Sequence, residues 1–123
     1  MSDAAFVTSW SGGKDSALAF HRARRAGGQP LALLNVLDET GTRTRSHGLR
    51  PEVLRAQADA LGVPLWTANA SWASYEAEFT ALLTRAARAG TSTAVFGDID
   101  LQAHRDWEEQ VCAAAGIMPA LPL

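Results

Sequence analysis

The sequence predicts an α/β fold in three layers, a parallel sheet with helices on both faces, and three observations lead there. Strand-like and helix-like segments alternate four times along the 123 residues, an arrangement that builds parallel sheets. The run Leu31 to Leu37 is almost continuously apolar, as a strand covered on both sides must be. A Gly-Gly turn flanked by Ser, Lys, Asp and Ser at 11–16 joins the first strand to the first helix, at the sheet end where such folds hold ligands.

Taken in order, Ala4 to Val7 is the first strand. The first helix places Ser16, Ala19, Phe20, Ala23, Ala26 and Gly27 on one small-residue face suited to close packing on a sheet, and Gly27-Gly28 ends it. Leu31 to Leu37 is a central strand, followed by an aperiodic loop over 38–50. Pro51 opens the second helix, with Val53, Leu54, Gln57, Ala58 and Leu61 on its inner face and Gly62 as its stop. Pro64 to Ala68 is a short strand near an edge, because Pro is unwelcome inside a sheet. Ser74 can cap a third helix with the stripe Phe79, Leu82, Leu83 and Ala86, ending at Gly90. Ala94 to Gly97 is the fourth strand. Asp100 can cap the last helix, whose stripe is Trp107, Val111, Ala114 and Ala115 and whose stop is Gly116.

The length fits one domain spanning 1–123. A formal net charge of −2 leaves no basic face for nucleic acid, and Arg22, Arg24 and Arg25 read as the solvated side of the first helix. A lone cysteine, Cys112, excludes an intrachain disulfide and any Cys-x-x-Cys site. No run of eighteen apolar residues occurs, and Asp3 stands where a signal peptide would carry basic residues, so no membrane association and a cytoplasmic location are expected.

The chemistry concentrates at 11–16. Gly12 and Gly13 let backbone N–H groups crowd an anion, the following helix adds its positive end, and Lys14 adds a full charge. The hydroxyls of Ser11 and Ser16 can bond phosphate oxygens, and Asp15 can hold Mg²⁺. The adjacent glycines exclude the Walker loop, which separates its glycines by four residues. If strands one and four are neighbours, Asp98 faces this loop across a crevice, where it and Asp100 are candidates for Mg²⁺ or for the reacting group; Asp100 serves equally well as a plain helix cap. His104 extends the stripe of the last helix toward the crevice and should point at the sheet, either as a core histidine or as a donor to phosphates or acceptor. His47 in the loop after strand two is open to a nucleotide or is simply a loop residue. Trp10 adjoins the phosphate loop and packs on a ligand or in the core.

The hexapeptide Ser11-Gly12-Gly13-Lys14-Asp15-Ser16 resembles the PP-loop of the ATP pyrophosphatases. Together with Gln57 to Leu65, the Gly97-Asp98-Ile99 triplet, His104-Arg105-Asp106-Trp107 and Val111-Cys112, it is similar to the diphthine-ammonia ligase family of those enzymes. The resemblance implies an adenine nucleotide alpha hydrolase-like (HUP) fold with strand order 3-2-1-4-5, ATP and Mg²⁺ as ligands, and cleavage of ATP to AMP and pyrophosphate. It implies adenylation of a carboxylate acceptor and amide formation with ammonia. It places adenosine beside Asn35 to Asp38, makes Lys14, Asp98 and His104 the catalytic candidates, Asp15 and Asp98 the metal candidates, and Ser11 to Ser16, Asn35 and His47 the nucleotide contacts. Family members continue beyond Leu123, so the C-terminal half of the pattern is expected to be absent here, and a second copy of the chain could cover the surface so left. The loop Thr42 to Gly48 lacks the Tyr- and Met-bearing stretch expected of true diphthine ligases, which leaves the acceptor open. A nucleotide-binding module without catalysis and a tRNA-modifying PP-loop enzyme are the alternatives; the second is weakened by the missing basic patch and the single cysteine.

Overall fold

The computed structural model describes residues 4–45, 47–98 and 102–123. Along them run β1 (Ala5–Ser9), α1 (Lys14–Arg25), β2 (Gln29–Leu37), α2 (Pro51–Leu61), β3 (Leu65–Asn69), α3 (Tyr75–Arg88), β4 (Thr93–Val95), α4 (Gln102–Ala115) and β5 (Met118–Ala120). The strands pair in parallel in the order β3-β2-β1-β4-β5.

Strand β2 shows how the layers are written into the sequence. Side chains alternate across a strand, and both sets here are apolar. Ala32, Leu34 and Val36 pack with Phe79, Leu82 and Leu83 of α3 and Val111 of α4. Leu33 and Leu37 pack on the other face with Phe20 of α1 and Leu54 of α2. The sheet therefore has α3 and α4 on one side and α1 and α2 on the other, as the continuous apolar run of β2 requires.

Helix boundaries follow local chemistry. Pro51 occupies the first turn of α2, where its missing N–H costs nothing, and Gly62 ends that helix in the left-handed conformation at φ 71°. Ser74 precedes α3 without capping it, because its Oγ accepts the N–H of Ser71 instead. Arg22, Arg24 and Arg25 are exposed, as their spacing predicts.

Three expectations are revised. The expected α2 face is too wide, since Val53 is 42% exposed while Leu54 and Ala58 are buried. The inner stripe of α4 is Glu108, Val111 and Cys112; Ala114 is exposed and Trp107 only half-buried. The apolar count is misled there because one buried position carries a carboxylate. The fifth strand, Met118–Ala120, follows from the expected strand order but has no signal of its own, being three residues long with Pro119 at its centre. Asp100, the expected cap of α4, lies outside the described residues.

Phe20 is fully buried against Phe6 and Trp10, with ring centroids 5.8 and 5.9 Å away. Phe20→Ala should cost about 3–5 kcal/mol, read as a lowered denaturation midpoint with an unchanged slope.

Candidate functional site

Strand β1 ends at Ser9, and the chain turns through residues 10–13 into α1. Trp10 keeps the turn attached to the sheet: its N–H bonds the Leu34 carbonyl at 2.8 Å, and the Asn35 amide donates to its carbonyl at 2.7 Å. The Trp10 indole N–H donates to Gln57 Oε1 at 2.8 Å, and Gln57 Nε2 donates to the Gly12 carbonyl at 3.3 Å. Trp10 is thus a buried anchor, 4% exposed, and Asn35 is a buried clamp on the loop's first residue. Gln57, read from the sequence as an inner-face position of the second helix and as the start of a family-like stretch, carries α2 to the loop.

Gly12 sits at φ +85°, a backbone conformation that side-chain-bearing residues rarely adopt, so the turn calls for glycine there. The serine hydroxyls shape the turn. Gly13 N–H donates to Ser11 Oγ at 3.2 Å, Ser11 N–H donates to Ser16 Oγ at 3.3 Å, and Ser16 Oγ donates to the Gly13 carbonyl at 3.1 Å. Lys14 extends into solvent with its ammonium 3.1 Å from Asp15 Oδ1, at 89% side-chain exposure. Such a charge is free to swing onto an anion at the start of α1.

Opposite the loop, Gly97 follows β4. A Cβ there would lie 2.7 Å from the Asp15 carbonyl carbon and 2.8 Å from the Ser16 nitrogen. Only glycine lets the end of β4 approach the first turn of α1 so closely, and that approach sets Asp98 beside the phosphate loop. The β1–β4 pairing that the sequence reading made conditional is present, in register from Phe6–Thr93 to Thr8–Val95. The resulting crevice, about 500 Å³, is lined by Ser11, Lys14, Asp15, His47, Asp98 and His104 among others. His47 lies against the loop, with Nε2 3.1 Å from where a Gly13 Cβ would be. His104 Nδ1 stands 3.6 Å from Asp98 Oδ1, with more than half the imidazole exposed, so it faces the open crevice and not the sheet. Of the nucleotide candidates, Gly12 and Asn35 do not line this crevice.

A residue missed in the sequence stands at its floor. Glu108 is 4% exposed, and its Oε1 has no hydrogen-bond partner among the described residues. Burial, and then the neighbouring Asp98 carboxylate, push its pKa up to about 9. At neutral pH the Glu108 carboxyl therefore keeps its proton. The available signal was its spacing: Glu108 precedes Cys112 by four residues and follows His104 by four, so it shares their helix face. One turn further in, burial pushes the Cys112 thiol up to about 12, leaving it unreactive.

Asp15 and Asp98 line the same crevice. No cluster of three or more metal-binding side chains occurs among the described residues. Two carboxylates flanking a phosphate cradle nevertheless suit Mg²⁺, which takes one or two carboxylates, substrate phosphates and water. No helix among the described residues is long and apolar enough to cross a membrane.

A family model described as the diphthamide synthase N-terminal domain matches residues 4–119. No curated protein matches the chain significantly.

Two outcomes follow from this geometry. Gly97→Ala must push β4 off α1; the folded protein should bind Mg-ATP at least tenfold more weakly, measured by calorimetry. Glu108 holds a proton when folded that it loses above its ordinary value of 4.5 when unfolded, so its contribution to stability falls as pH rises from there to about 9. The slope is about 1.4 kcal/mol per pH unit. Glu108→Gln should flatten denaturation midpoints measured across that window in metal-free buffer.

Proposed function

We propose that this chain, which belongs to the diphthamide synthase N-terminal domain family of PP-loop ATP pyrophosphatases, cleaves ATP to AMP and pyrophosphate in order to adenylate a carboxylate for amide formation. The observation that carries this reading is the close seating of Gly97 on the backbone of Asp15 and Ser16, which faces an anion cradle with a carboxyl-bearing wall. A cradle alone would only hold phosphate. A cradle opposed by Asp98, His104 and Glu108 has room and chemistry for a second reactant.

In the first step an acceptor carboxylate oxygen attacks the α-phosphorus, the bond to the bridging oxygen breaks, and pyrophosphate departs with the electron pair. Lys14 and the N–H groups at the start of α1 hold the departing negative charge. Mg²⁺ bound through Asp15 and Asp98 would further neutralise the phosphates. In the second step an amine nitrogen attacks the acyl carbon, AMP leaves with the carbon–oxygen bond pair, and the nitrogen gives up a proton. His104, more than half exposed and 3.6 Å from Asp98, would receive it. His47, against Gly13, adds a donor on the nucleotide side.

Titration with Mg-ATP followed by nucleotide analysis should show binding, with slow release of AMP and pyrophosphate in equal amounts. ADP and phosphate would overturn the reading. Lys14→Ala should lower kcat/KM about 10²–10³-fold while leaving the melting curve unchanged, because this side chain is nearly fully exposed.

A further inference from the structure

Beside the phosphate crevice, a second chamber of about 560 Å³ opens between α3 and α4. Tyr75, Phe79, Phe96 and Trp107 wall it, with Phe79 5.5 Å from Trp107 and 6.1 Å from Phe96, ring centre to ring centre. Two acids besides Asp98 line it: Glu76, which accepts the Trp107 indole N–H at 3.1 Å, and Glu108. Glu108 is the unexpected member. It is more than nine-tenths buried and lines the chamber as well as the crevice, and its Oε1 is unpartnered among the described residues.

A buried acceptor with no donor costs about 1–3 kcal/mol, and a ligand N–H is what would satisfy it. The charges around the chamber favour a cation. Arg45 also lines it, but its guanidinium donates through Nε and Nη2 to the Ala70 carbonyl at 2.8 and 2.6 Å, lies 3.6 Å from Glu39, and sits over the Trp72 ring. His104 is turned to Asp98. The aromatic faces add attraction for a positive group, as ring quadrupoles do.

We propose that this chamber binds a protonated organic amine, its ammonium donating to Glu108 Oε1 and its apolar body lying among Tyr75, Phe79, Phe96 and Trp107. Size and lining decide between an organic amine and a free ammonium ion. An ammonium ion is about as large as one water, roughly 30 Å³, and would leave most of an aromatic chamber wet. An amine carrying a ring or alkyl body fills it and buries apolar surface at about 25 cal/mol per Å². Assigning this amine as the nitrogen-bearing reactant rests on the ligase reading above, and in that role the ammonium gives one proton to solvent before it attacks and a second to His104 as the amide forms; its binding rests on neither.

The test is calorimetric titration of the ATP-free protein with 2-phenylethylammonium, ammonium and 2-phenylethanol. The organic amine is expected to bind at least tenfold more tightly than either of the others. Glu108→Leu, an apolar replacement at a buried position, is expected to weaken amine binding at least tenfold. Glu108→Gln, whose NH₂ can face Asp98 and leave its oxygen toward the chamber, is expected to stay within about threefold. Equal binding of the alcohol, tighter binding of ammonium, an unchanged affinity in Glu108→Leu, or competitive displacement of the amine by adenosine would each overturn the proposal; the last would make the chamber a base pocket. The alcohol comparison needs no variant, so a failure of Glu108→Leu to fold leaves the test intact. Amine binding by a protein that releases no AMP would count against the ligase reading alone.

Discussion

The contact between Gly97 and the first turn of α1 is what everything at the ligand end hangs from. Two backbone segments from opposite parts of the chain meet there with no room for a side chain. The strand order makes the meeting possible, because β1 and β4 are neighbours. The phosphate loop is held from the other side by Trp10, Asn35 and Gln57, three buried or half-buried polar contacts that leave it little freedom. An anion site built this way is preorganised in shape before any ligand arrives, with the Ser11 and Gly13 N–H groups already held by serine hydroxyls. The lysine is the exception, free to move and therefore suited to closing over a bound phosphate.

Most of the fold is legible in the sequence because few of its signals conflict. Pro51, Gly62, Gly90 and Gly116 punctuate the helices where structure shows them ending or starting, and the apolar run of β2 dictates cover on both faces. The phosphate loop is legible because its backbone needs glycine at φ +85° and its chemistry needs charge. The misreadings share one cause. Periodicity arguments sort residues by polarity, so Glu108 is passed over and the inner face of α4 is rotated toward Trp107 and Ala114. Trp10 and Asn35 illustrate a related ambiguity: near a ligand loop, the residues that build the loop and those that touch the ligand have the same composition, and only hydrogen-bond partners separate them.

The buried acid is also where stability and activity pull apart. A buried carboxyl on the inner face of a helix is a poor choice for folding, since an apolar residue of similar volume would serve the core better. Val111 and Cys112 on the same face of α4 show what that core otherwise prefers. Departure from the local packing rule at one helical position, whose side chain lines two neighbouring cavities, is the pattern expected where chemistry overrides packing.

Proline at position 119 has a consequence for the far side of the sheet. Strand β5 bonds to β4 through the Met118 N–H to Ser92 and the Ala120 carbonyl to Phe96, at 2.9 Å each, so residues 118 and 120 turn their polar backbone groups inward. The residue between them turns outward, and there an N–H donor is missing. A strand arriving at that rim from another molecule would find an acceptor but no donor at the middle of three residues. The proline thus acts as a terminator for sheet growth, keeping a parallel sheet with an accessible margin from being lengthened by strand addition between molecules.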